Sequence, residues 1–158
     1  MIDFKTVNMA LVKSVVALAL GFIAVDDAGA ANGSWGNSGP HPAIYQTNYW
    51  YNMSGPINSL IGTSTSAKIS GANVRWGYNS LPYNSRNPSS WTVQAKICTS
   101  GKCGYTTTQV SNDTYWNGLS AGASWTFSFI ANSSQTKVFA NGPLNGSQNV
   151  NLSVNYIQ

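Results

Sequence analysis

Residues 91–98 read Trp91-Thr92-Val93-Gln94-Ala95-Lys96-Ile97-Cys98 (WTVQAKIC), an unbroken alternation of apolar and polar side chains. A period of two gives one dry and one wet face, which is the pattern of a half-buried β-strand. The same period returns on both sides of this stretch: at Val74, Trp76 and Tyr78, at Trp125, Phe127 and Phe129, and at Val150, Leu152, Val154 and Tyr156. Weaker strands are predicted over 43–51, 67–69, 103–108 and 136–140. Turn chemistry fills the gaps at 54–56, 84–88, 117–118 and 141–143, where Gly, Pro and Asn gather. The twelve residues 79–90 (NSLPYNSRNPSS) read as a long loop between two strands rather than a linker. Seven or eight short strands at this spacing predict an all-β fold, a small antiparallel β-sandwich, with a barrel as the neighbouring possibility.

Toward the amino terminus the pattern changes. Residues 14–25 (SVVALALGFIAV) are an apolar run of 12, preceded by Lys5 and Lys13 and followed by Ala28-Gly29-Ala30. A basic start, a short apolar stretch and a small-x-small site make a secretory signal. The run is shorter than the roughly 20 residues a bilayer span needs, so no membrane anchor is expected. Residues 1–30 are therefore expected to be a cleaved signal peptide and 31–158 a single β-sandwich domain, delivered to the periplasm or beyond the cell.

Export decides the reading of the two cysteines, Cys98 and Cys103. In an oxidising compartment a close pair is expected to be a disulfide. A closed metal site needs two further ligands, and one His with no other Cys does not supply them. Four residues lie between the cysteines where an oxidoreductase motif has two. The bridge is expected to be a local staple that fixes the register of one hairpin.

Composition limits the chemistry. Only 8% of the 158 residues are charged, against roughly a quarter in an average domain. Residues 31–158 hold six bases and one acid, Asp113, a net charge of +5. Mechanisms that need two protein carboxylates, such as glycosidase pairs and aspartic dyads, are excluded for that portion, as is a carboxylate-rich Ca²⁺ cage. His41 lies in Gly39-Pro40-His41-Pro42 and is expected on an exposed, extended loop. No G-x-S-x-G motif accompanies it, so catalysis is not expected and the protein is read as a non-enzyme without metal or cofactor.

What remains is contact. In Tyr49-Trp50-Tyr51 the tyrosines share one strand face and Trp50 takes the other. Trp35, Tyr83, Tyr115 and Trp116 fall in loop-like contexts, so Trp35, Trp50, Tyr83 and Trp116 are candidates for an exposed contact surface, against the simpler reading that such rings fill the core. Arg75 and Lys96 take the outward phase of their strands. No dense basic cluster appears, and a nucleic-acid partner is not expected.

The order of features resembles the FlhE family of flagellar proteins. The residues that carry the resemblance are Gly33-Ser34-Trp35 and Ser38-Gly39, then Ile69-Ser70-Gly71 running into Val74-Arg75-Trp76-Gly77-Tyr78. A Pro/Asn loop follows, then 93–97 leading into Cys98 and Cys103, the aromatic strand 125–129, and Val154-Asn155-Tyr156. The block from Ile69 to Cys103 is its most specific part. The resemblance implies a periplasmic, non-enzymatic accessory of the flagellum that contacts the export apparatus or basal body and limits proton leakage, with no cofactor. It transfers no active site; only the cysteine pair carries over. Two other readings stand beside it: a pilus or adhesion subunit, suggested by the alternating strand that ends near Tyr156, and a secreted carbohydrate-binding module that stacks sugars on Trp50 or Trp116.

Overall fold

A computed structural model describes residues 32–61, 66–81 and 85–158, all within the compact unit Ala31–Gln158. The proposed signal segment and Tyr83 lie outside the described residues. The elements are β1 (Asn32–Gly39), β2 (Tyr51–Asn52), β3 (Lys68–Arg75), β4 (Thr92–Thr99), β5 (Lys102–Thr106), β6 (Val110–Asp113), β7 (Trp125–Asn132) and β8 (Val150–Ile157). They form two four-stranded antiparallel sheets, ordered β1-β8-β3-β6 and β2-β7-β4-β5. Among the described residues there is no helix. The fold is the expected small all-β sandwich.

The period-two stretches supply the inner faces. From the first sheet come Ile69, Val74, Val150, Leu152 and Val154; from the second come Ala95, Ile97, Trp125, Phe127 and Phe129, all buried. Burying each large side chain contributes on the order of 2 to 3 kcal/mol. In β3 the alternation breaks, because Ile69 and Ala72 are three residues apart yet both buried. The ladder with β8 explains it: the register slips between Ile69 and Gly71. One extra residue in the strand resets the phase, so Ile69 and Val74 face the same core. What reads as a short strand at 67–69 followed by another from Val74 is one bulged strand that ends at Arg75, with Tyr78 beyond it holding only a single bridge to Gly146.

Three expectations are corrected. Residues 43–51 form no continuous strand before Tyr51; they hold single bridges, Ile44 to Leu144 and Gln46 to Val138. Side chains replace the ladder there. The buried Thr47 donates its hydroxyl to the Gln135 carbonyl at 2.6 Å and accepts the Lys137 N–H at 2.9 Å. Asn48, at φ 59°, bonds both ways with Ser133, 2.9 Å each. Residues 136–140 likewise contribute a bridge rather than a strand. Conversely, β1 and β6 are strands that periodicity misses. In β1 (NGSWGNSG) Trp35 is the single large apolar side chain, and all eight residues are held in register against β8.

Candidate contact surface

The β4–β5 hairpin organises one face of the molecule. Ser100 and Gly101, at φ 49° and 78°, make its two-residue turn, in the left-handed sense that matches strand twist. Cys98 and Cys103 stand opposite each other in the ladder and are joined by the disulfide. Ala95 and Ile97 point into the core, so Lys96 and the cysteines point outward. Successive ladder partners then set Asn52, Ser128, Lys96 and Tyr105 in a row across the outer face of the second sheet. The Ser128 hydroxyl donates to Asn52 Oδ1 at 2.7 Å.

Trp50, half-buried, reaches across that face, its ring 6.1 Å from that of Tyr105. Ile130 takes the outward phase of β7 yet is buried. Tyr105 itself is 59% exposed. On the β2 side, Tyr49 and Tyr51 pair edge to face at 5.2 Å, with Tyr45 6.1 Å from Tyr51. Tyr45 and Tyr49 are each 56% exposed. The tyrosines and Trp50 of the 49–51 run thus diverge as the alternation predicts.

Trp35 and Trp116, two of the candidates for an exposed contact surface, are buried at 5% and 2% exposure, which is the simpler core reading. Trp35 projects from β1 into the core and donates its indole N–H to the Ala121 carbonyl at 3.0 Å. Trp116 does leave β6 in a turn, but the turn folds its ring inward, edge to face against Trp125 at 5.2 Å. Gly104 makes room, because a Cβ there would lie 3.1 Å from the Trp116 ring. A turn in the sequence says nothing about which way its side chain points, and these two rings are core.

Tyr115, beside Trp116, is exposed. Its hydroxyl donates to the Cys103 carbonyl at 2.9 Å, and Lys102 lies over its ring with Nζ 3.9 Å from the centroid while also donating to its carbonyl. This ties the turn to the hairpin by a cation–π contact. The Asp113 carboxylate accepts the Tyr115 N–H at 2.8 Å, an Asx-type turn bond.

His41 also departs from expectation. The flanking prolines suggest an exposed loop, yet its ring packs 4.8 Å from Tyr78 and 5.0 Å from Phe129. Nε2 accepts the Gly77 N–H at 3.4 Å, and a Cβ at Gly146 would fall 2.7 Å from the ring. Burial lowers its pKa below the usual 6.5, with the Gln148 backbone pulling the other way. Burial likewise raises the pKa of Tyr78, whose hydroxyl donates to the Pro42 carbonyl at 3.0 Å. His41 is thereby a packing residue that joins the end of β3 to β7. Among the described residues no group of three or more His, Cys, Asp or Glu gathers as a metal site would require, and no helix is long and apolar enough to cross a membrane.

Two clefts of about 580 Å³ open on the surface. One lies on the outer face of the first sheet beside Asn73, Arg75, Gln109 and Ser153. The other lies between the 85–91 and 135–137 segments.

No protein-family model matches the chain, and no curated protein matches it. Among solved structures the crystal structure of FlhE superimposes with a TM-score of 0.61 and 15% identity, over 82% of this chain and all of that one. The eight-stranded sandwich assembled by this sequence is FlhE-like in fold.

Proposed function

We propose that this protein is a non-enzymatic periplasmic accessory of the bacterial flagellum, delivered by a cleaved signal at residues 1–30, which acts by protein contact at the export apparatus or basal body and limits proton leakage there. The observation that carries this reading is the superposition on the whole length of FlhE. Its supports are the Cys98–Cys103 disulfide, which suits an oxidising compartment, and a single acidic side chain, Asp113, in residues 31–158. Fold alone does not imply function, so the test is in the cell. Deleting the gene is expected to acidify the cytoplasm, read with a pH-sensitive fluorescent protein, and to disturb swimming while flagella still assemble. Restoring the gene should reverse both effects. Normal cytoplasmic pH and normal swimming in the deletion strain would overturn the proposal.

The pilus reading meets a physical obstacle. Donor-strand exchange needs an open place in a sheet, whereas β8 is already paired on both sides, with β1 and β3.

A further inference from the structure

The second cleft is built by two loops that the core holds in place. On one wall, Asn87 is only 6% exposed; its Oδ1 accepts the Ala140 N–H at 2.8 Å, and its amide nitrogen is buried with no hydrogen-bond partner among the described residues. A buried amide that keeps one bond fixed and leaves its donors unused is uncommon and costly. Beside it Trp91 is half-exposed and braced edge to face against the buried Phe139 at 5.1 Å. The opposite wall is fixed from below, since Thr47 bonds both Gln135 and Lys137 and the Phe139 N–H donates to the Tyr45 carbonyl at 2.9 Å. Ser85, Ser89, Gln135 and the exposed Lys137 complete the lining.

The volume, about 580 Å³, falls within the range of small-ligand sites. Its contents are a flat aromatic ring, an unused amide donor, hydroxyls and a cation. The lining contains no acidic side chain; the single one among the described residues, Asp113, is on β6. A ring that offers a π-face suits the apolar C–H face of a pyranose. The donors and the cation suit an acceptor that carries negative charge, which a lysine ammonium binds as a point charge. A flexible acidic peptide would use the cation but not the ring. We propose that this cleft binds an acidic saccharide, with one sugar on Trp91 and its carboxylate toward Lys137 and the Asn87 amide.

The test is a ¹H–¹⁵N NMR titration of residues 31–158 as the mature domain, with digalacturonate as probe and its neutral methyl ester as control. Saturable shifts are expected at the Trp91 indole, the Asn87 side-chain amide and the 135–137 backbone, with the acid bound about tenfold more tightly than the ester. Lys137→Gln should remove that preference. Asn87→Asp keeps the oxygen that accepts from Ala140 but replaces the donor with a charge, and should abolish binding of the acid. Lys68→Gln, on β3, should change nothing. Absence of shifts in the cleft at millimolar probe would overturn the proposal, as would equal binding of acid and ester. An effect of Lys68→Gln equal to that of Lys137→Gln would reduce it to diffuse charge attraction and overturn it too. Shifts with oligoglutamate but not with the sugar would replace the saccharide by an acidic protein segment. Lys137 is exposed, so its variant keeps the test decisive even if the Asn87 variant fails to fold.

Discussion

The two sheets of the sandwich are built from different materials and at different ranges. The second sheet faces the core with Trp125, Phe127 and Phe129, and contains the β4–β5 hairpin closed by a two-residue turn and a disulfide. The first faces it with Ile69, Val74, Val150, Leu152 and Val154, and no two of its strands are consecutive in the chain. Its ladders join residues as distant as Asn32 and Ile157. Loop-closure entropy makes such pairings slow to form and dependent on other contacts. The second sheet can begin from local structure, and the first needs a surface on which to assemble.

The sharpest way to break that comparison is to empty the aromatic side. Trp125→Ala should cost about 3 to 5 kcal/mol in urea unfolding, because it removes a fully buried ring packed on Trp116. Both sheets should melt together; a separate transition for the first sheet would show that it stands without the second. Leu152→Ala, in the centre of the first sheet, should cost about 2 to 4 kcal/mol, with the urea midpoint falling and the slope unchanged.

Replacing Cys98 and Cys103 together by Ser should cost about 2 kcal/mol, since the loop closed is only five residues in sequence. Hydrogen exchange should quicken in the β4–β5 hairpin before it does in β8. Equal quickening in both would deny the hairpin its local character.

The smallest effect concerns His41, which joins the end of β3 to β7. Its folded pKa lies below 6.5, so near that value the unfolded chain binds more protons than the folded one. The stabilisation is complete above pH 6.5 and is lost as the pH falls from there toward the folded value. His41→Asn should flatten that slope in urea unfolding followed from neutral to mildly acidic pH. An unchanged slope would mean that folding does not withdraw the imidazole from water.

The strands with a continuous core face were legible in the sequence, because β4, β7 and β8 each carry three or four apolar side chains at period two. β1 and β6 were not. Trp35 is alone among Gly, Ser and Asn, and β6 reads Val110-Ser111-Asn112-Asp113 with a register slip against β3. Both owe their conformation to a neighbour's ladder rather than to their own side chains, a tertiary effect that local pattern does not encode. The disulfide was readable from the close spacing of Cys98 and Cys103 together with the expectation of export. Among the rings, Trp50 lies on the outer face as its position in 49–51 suggests, whereas Trp116 is turned inward by room left at Gly104, about 40 Å of extended chain being no guide to that encounter. The cleft lined by Asn87 and Trp91 had no signal, since its two walls are segments that meet only after folding.

β8 follows the other seven strands in chain order, yet it occupies an interior place, with β1 on one side and β3 on the other. A ribosome delivers residue 32 early and its partner, residue 157, after all the intervening chain. Until then β1 and β3 have nothing between them, and their inward residues Trp35, Ile69 and Val74 lack the neighbour that covers them. Completion of the keystone strand is thus a built-in delay, and the nascent polypeptide stays threadable until Val150–Ile157 has been made.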